Sequence, residues 1–212
     1  GSSSDWILKY KDEFTKNVII NAIKQNLNLV HVIASGFANA CVHSNEGKNF
    51  AKAVIPEIIK QNPSFVYEFI NGFATIYLSE NAEDSAKEIM LKVTEEIITK
   101  NVYDNEHMVS EIIKGFTEAC LSFDKKEDIA EDMVLKTLEL CSYNEQFQQH
   151  NLTNFSKNNI INGFTRAYIL SNKDIDFIQK QMFKIIEKRN NLVNTIIDGF
   201  VSACVSLNNV NF

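Results

Sequence analysis

Four histidines and four cysteines are the side chains of this 212-residue chain best suited to hold a metal or attack a substrate. His31, His43, His107 and His150 form no His-Glu-x-x-His pair and no Cys/His spacing that suits zinc. His31 and His43 stand twelve positions apart on one helical pattern, too far to share an ion. Cys41, Cys120, Cys141 and Cys204 show no Cys-x-x-Cys spacing and sit within apolar helical patterns. They read as buried thiols in a reducing compartment. The Glu-x-x-His pairs of a carboxylate-bridged metal bundle are absent, and so is a Gly-x-Ser-x-Gly elbow. No glycine-rich phosphate loop occurs. The acidic run from Asp124 to Asp132 also holds Lys125 and Lys126, and reads as a solvated turn and helix start. The expectation is therefore no catalytic residue, no cofactor, no metal and no enzymatic activity.

Binding chemistry is a different matter. Five short segments each carry a Gly-Phe pair, and the positions one before and three after the glycine are polar. They are Ser35 and Asn39, Asn71 and Thr75, Lys114 and Glu118, Asn162 and Arg166, Asp198 and Ser202. On a helix these are i,i+4 neighbours, so they line a stripe, continued by His31, Tyr67, Ser110, Asn158 and Asn194. Stacked side by side, such stripes would form a ladder of short hydrogen-bonding groups. One reading makes the ladder a concave face for an extended peptide or a partner helix. The other makes it a tightly curved inner layer whose polar groups are satisfied by water or neighbours. The candidate partner-binding residues are Asn39, Tyr67, Asn71, Lys114, Glu118, Asn162, Arg166 and Asp198.

The elements that must position these residues follow from internal repetition. The pairs are Gly36-Phe37, Gly72-Phe73, Gly115-Phe116, Gly163-Phe164 and Gly199-Phe200, each preceded by apolar residues at helical spacing. Four residues after each glycine stand Ala40, Ile76, Ala119, Ala167 and Ala203. One further on, small and large alternate as Cys41, Tyr77, Cys120, Tyr168 and Cys204, which suits interlocking packing. Nine after each glycine comes Asn45, Asn81, Asp124, Asn172 or Asn208, where a helix would end or the next be capped. The glycines are 36, 43, 48 and 36 positions apart.

A second pattern precedes the first, with Ile23, Ile59 and Ile186 each 13 residues before a glycine. Each repeat thus predicts a hairpin: helix A ending near an asparagine, then helix B carrying the Gly-Phe. The repeats are placed at 5–44, 48–79, 83–123, 127–171 and 174–208. Pro56 is expected to kink the second A helix, and Pro63 to start the second B helix. Cys141 to Asn154 makes the fourth repeat irregular, read as an extended A helix plus a loop. Gly47 is expected in a turn.

A glycine inside a helix costs about 1 kcal/mol relative to alanine, so five cost about 5, comparable to a domain's whole net stability. Close approach of a neighbouring backbone, with the adjoining phenylalanine filling the space beside it, is the expected compensation. Charge divides the helices further. Taken as 28–44, 64–79, 107–122, 155–171 and 191–207, the B segments hold only the charges Glu68, Glu111, Lys114, Glu118, Lys157, Arg166 and Asp198, while the A helices read as solvated amphipathic helices with i,i+4 pairs.

Composition bounds the partner. A net charge of −6, with only two arginines, argues against nucleic acid. No apolar run approaches the roughly 20 residues of a membrane span, so no membrane insertion is expected. Two prolines and seven glycines exclude collagenous and loop-rich β architectures. Asn and Ile at 25 each, and Lys far above Arg, point to a low-GC organism, such as some intracellular bacteria or protists. Residues 1–4 read as an expression-tag remnant, leaving 5–212 as one helical-repeat domain. The last repeat keeps the apolar pattern of the internal ones. Either 208–212 folds back over it or the native protein continues, and continuation is the expectation.

In architecture the chain resembles α-solenoids of the HEAT, armadillo and tetratricopeptide kind, over residues 5–208. The tetratricopeptide Trp and Leu-Gly pattern and the ankyrin Thr-Pro-Leu-His are missing. Pentatricopeptide RNA readers share the period but are ill matched by an acidic, arginine-poor chain. The resemblance implies an all-α, right-handed superhelix of about ten helices in five hairpins. It also implies a non-enzymatic scaffold for a protein or peptide partner. A helical-repeat RNA binder, or a structural repeat region of a larger secreted or effector protein, is the alternative. The compartment is expected to be cytoplasmic or otherwise reducing, including a host cytosol for a bacterial effector.

Overall fold

Apolar residues recurring at helical spacing, with almost no proline or glycine between them, leave little besides helix to form. The computed structural model describes the backbone of residues 3–61, 63–100, 106–143 and 152–208, and the side chains of 13–61, 63–99, 107–141 and 157–207. Among the described residues there are ten α-helices and no strand. The A helices are α1 (Ser3–Gln25), α3 (Asn45–Gln61), α5 (Glu83–Lys100), α7 (Glu127–Tyr143) and α9 (Ile175–Lys188). The B helices are α2 (Val30–Cys41), α4 (Val66–Ser79), α6 (Glu106–Leu121), α8 (Leu152–Leu170) and α10 (Val193–Asn208). The protein is thus all-α, an array of A/B hairpins.

Short 3-10 turns, Leu27–Leu29, Pro63–Phe65 and Asn190–Leu192, lead into α2, α4 and α10. Pro63 opens one of them, where its fixed φ suits a helical start and its missing N–H costs nothing. Pro56 lies within α3 without ending it. Gly47 is helical rather than in a turn. It sits in the first turn of α3, its N–H donating to the Ser44 hydroxyl at 2.9 Å. In the fourth repeat α7 is described to Tyr143 and α8 begins at Leu152, while 144–151, on which the expected extension and loop fall, lie outside the described residues. The expected A-helix ends at Asn62 and Asn101, together with His150 and 209–212, also lie outside the described residues. Helix α1 begins at Ser3, inside the stretch read as a tag remnant.

Two of the spaced asparagines close B helices, while Asn45 opens α3. Asn81 and Asn172 take left-handed conformations, φ 54° and 55°. In each case the next residue donates back five positions, Ala82 to Tyr77 at 2.9 Å and Lys173 to Tyr168 at 3.4 Å. These are Schellman closures with asparagine where glycine is commoner, tolerated because its short amide bonds locally. After the third B helix the left-handed residue is Lys125 rather than Asp124.

Two compact units emerge, Gly1–Val93 and Thr94–Phe212. In the first, α2 packs along α4 and α1 along α3. Its core includes Ile23, Ile55, Ile59, Phe69, Phe73 and Tyr77, all fully buried. The ring of Phe37 lies 5.8 Å from those of both Phe50 and Phe73. In the second, α8 packs between α6 and α10, and α7 packs on α8. Phe116, Phe164, Ile160 and Tyr168 are fully buried there. Consecutive hairpins also meet through A-helix ion pairs. Lys52 reaches Glu88 at 2.5 Å in the first unit; in the second, Lys188 and Lys184 reach Glu131 at 2.5 and 3.5 Å, and Arg189 pairs with Glu139.

Candidate interaction faces

The B-helix glycines mark where backbones meet. A Cβ built on Gly72 would lie 2.5 Å from the carbonyl oxygen of His31 on α2. On Gly163 it would fall onto the carbonyl oxygen of Ser110 on α6. On Gly199 it would lie 2.9 Å from the carbonyl oxygen of Asn158 on α8, and 2.7 Å from Cβ of Ile161. His31, Ser110 and Asn158 each stand five residues before the glycine of their own helix. One contact geometry therefore recurs three times, and alanine is excluded at each glycine by backbone or a β-branched side chain. Gly115 is buried in α6.

Gly36 corrects the general expectation. No described residue lies within 4 Å of a Cβ built there, and Gly36 is exposed. Among the described residues no B helix packs on this side of α2. The phenylalanines behave more uniformly: Phe37, Phe73, Phe116 and Phe164 are buried, and only Phe200 is half-buried.

The alternation five residues after each glycine is a packing device. Cys41 acts electrostatically on Tyr77, and Cys120 on Tyr168. Both tyrosine rings are fully buried and lean on the preceding phenylalanine, at 4.7 Å in each case. Among the described residues their hydroxyls have no hydrogen-bond partner. Burial pushes both phenols well above their ordinary range. It also raises Cys41 to about 11 and Cys141 to about 12. None of the four cysteines is in a disulfide. Cys204 departs from the expected burial, being half-exposed.

The polar stripes meet within each unit. In the first, the Ser35 hydroxyl donates to the carbonyl of Gly72 at 3.2 Å while also reaching its own helix at His31. Asn39 is exposed, and Tyr67 and Asn71 are half-buried. In the second, Ser110 donates to Asn162 at 3.2 Å and the Asn162 amide donates to Ser202 at 3.2 Å. Three B helices are thereby joined in one hydrogen-bonded line. Beside it, Arg166 donates to Glu111 at 2.7 Å and Lys114 lies 3.9 Å from the same carboxylate. Lys114 and Glu111 are each 8% exposed, Glu118 and Arg166 are half-buried, and Asp198 is exposed.

Glu111 is the member that spacing did not single out. It lies 55 positions from Arg166, on the turn next to the stripe. The available signal was its charge, one of seven on the B segments, opposite in sign to one of only two arginines.

Among the described residues no three His, Cys, Asp or Glu side chains converge to hold a metal ion. No described helix is long and apolar enough to cross a membrane. An open surface depression of about 410 Å³ lies between α7 and α9, lined by Asp128, Glu131, Lys184 and Lys188, away from the stripes. The chain matches no protein-family model, no curated protein and no solved structure.

Proposed function

We propose that the protein is a non-enzymatic scaffold that binds a protein or peptide along the polar stripes of its B helices. The observation that carries this reading is the Ser110–Asn162–Ser202 line, in which buried Ser110 holds half-buried Asn162 and Asn162 joins exposed Ser202, so that a row of polar groups reaches the surface on α8 and α10. Exposed Asp198 and half-buried Glu118 and Arg166 flank it, so both signs of charge are offered. Mixed polarity suits a peptide backbone with its alternating N–H and C=O groups better than a uniformly anionic phosphate chain. In the first unit Asn39, Tyr67 and Asn71 offer similar groups on α2 and α4.

The test is selection from a random-peptide phage library on the full chain, followed by binding of the enriched peptides to variants. Asn71→Asp and Asp198→Lys should weaken those peptides at least tenfold without shifting the melting temperature. Glu57→Lys, on the exposed side of α3, should not. Peptides that bind the stripe variants as well as the parent would overturn the proposal. Arg166 and Lys114 are poor choices for charge reversal, because each sits beside Glu111 and reversal would strain the fold itself.

A further inference from the structure

We infer that the chain associates head to tail with further copies of itself, α10 of one copy docking on α2 of the next. Every described B-to-B contact joins two unlike faces. One is the glycine face, with the alanine four residues on: Gly163 and Ala167 on α8, Gly199 and Ala203 on α10, all buried. The other is the receiving face, two before and two after the glycine, together with the carbonyl five before it. Ala34 and Ala38 on α2, and Ile161 and Thr165 on α8, supply it and are fully buried.

Among the described residues each face occurs once uncovered. On α2 the glycine face is open: Gly36 has nothing within 4 Å, Ala40 is exposed and Val32 is 63% exposed. On α10 the receiving face is open, with Ile197 at 49% and Val201 at 51%, and Val205 one turn on at 55%. These two surfaces have the chemistry and residue spacing of the internal pairs, so a second copy continues an interface the chain already builds three times. The B segment around α2 carries no charge, and Asp198 is the only one on α10, so little is desolvated. A contact between unlike faces leaves one of each free in the pair, and addition does not stop at two.

Sedimentation velocity over a concentration series on the full chain tests this. The average mass should rise past the dimer with concentration. Ala40→Glu and Val201→Glu should each hold the chain near monomer, while an equal mixture of the two should form a dimer and nothing larger. Gly36→Ala, which adds one methyl to an open helix surface, should fold at least as well as the parent yet associate at least tenfold more weakly. A parent that stays monomeric, single variants that assemble like the parent, or a mixture that stays monomeric would each refute the inference.

Discussion

Gly36 and Gly163 occupy the same place in the same pattern, yet one faces open space and the other a carbonyl oxygen. Their alanine variants should differ in sign. Gly163→Ala forces a methyl onto the Ser110 backbone and should cost about 1–3 kcal/mol in urea unfolding. Gly36→Ala gains helix propensity and should stabilise the monomer by about 0.5–1 kcal/mol. Equal effects at the two sites would show that contact is not what separates them. The buried tyrosines make a second case. Tyr168→Phe removes a hydroxyl that has no protein partner, and should raise stability by about 1 kcal/mol. A loss on that substitution would mean that the hydroxyl is satisfied by water. Both glycine and tyrosine were visible as repeat positions. What each touches was not, because contact is a property of the neighbour as much as of the residue.

At the scale of elements, two of the B-helix ends were legible. Asn81 and Asn172 ended B helices where their spacing placed them, since a left-handed closing residue is a local requirement met by few side chains. Pairings between helices were less legible. Glu111 and Arg166 meet because α6 and α8 cross at Ser110 and Gly163, a register set by that close approach and not by either charge. Glu111→Gln keeps the shape but removes the carboxylate from a half-buried guanidinium, and should cost about 1–3 kcal/mol. The loss should shrink in high salt to the extent that the pair is solvated. No loss at any salt would place the pair among surface bridges that contribute nothing measurable.

For the whole molecule, buried acids of very high pKa bear on alkaline stability. The Cys141 thiol is raised from an ordinary 9.0 to about 12 and Cys41 to about 11, both chiefly by burial. The fold therefore holds protons that the unfolded chain releases above about pH 9. Stability should be level through neutral pH and fall as pH rises from 9 toward 12, by up to about 1.4 kcal/mol per unit for Cys141 alone. Thermal melts across that range check it, and a level profile above pH 9 would contradict the burial of these groups.

The hydrogen-bonded line across α6, α8 and α10 has one more consequence. Its members stand five before the glycine on α6, one before on α8 and three after on α10. A ligand laid straight across α8 and α10, where the line reaches the surface, spans about three extended residues per helix and meets a different repeat position on each. Units that are interchangeable as building blocks are thus distinct letters to whatever reads across them, and a monotonous chain can spell out a non-repeating message.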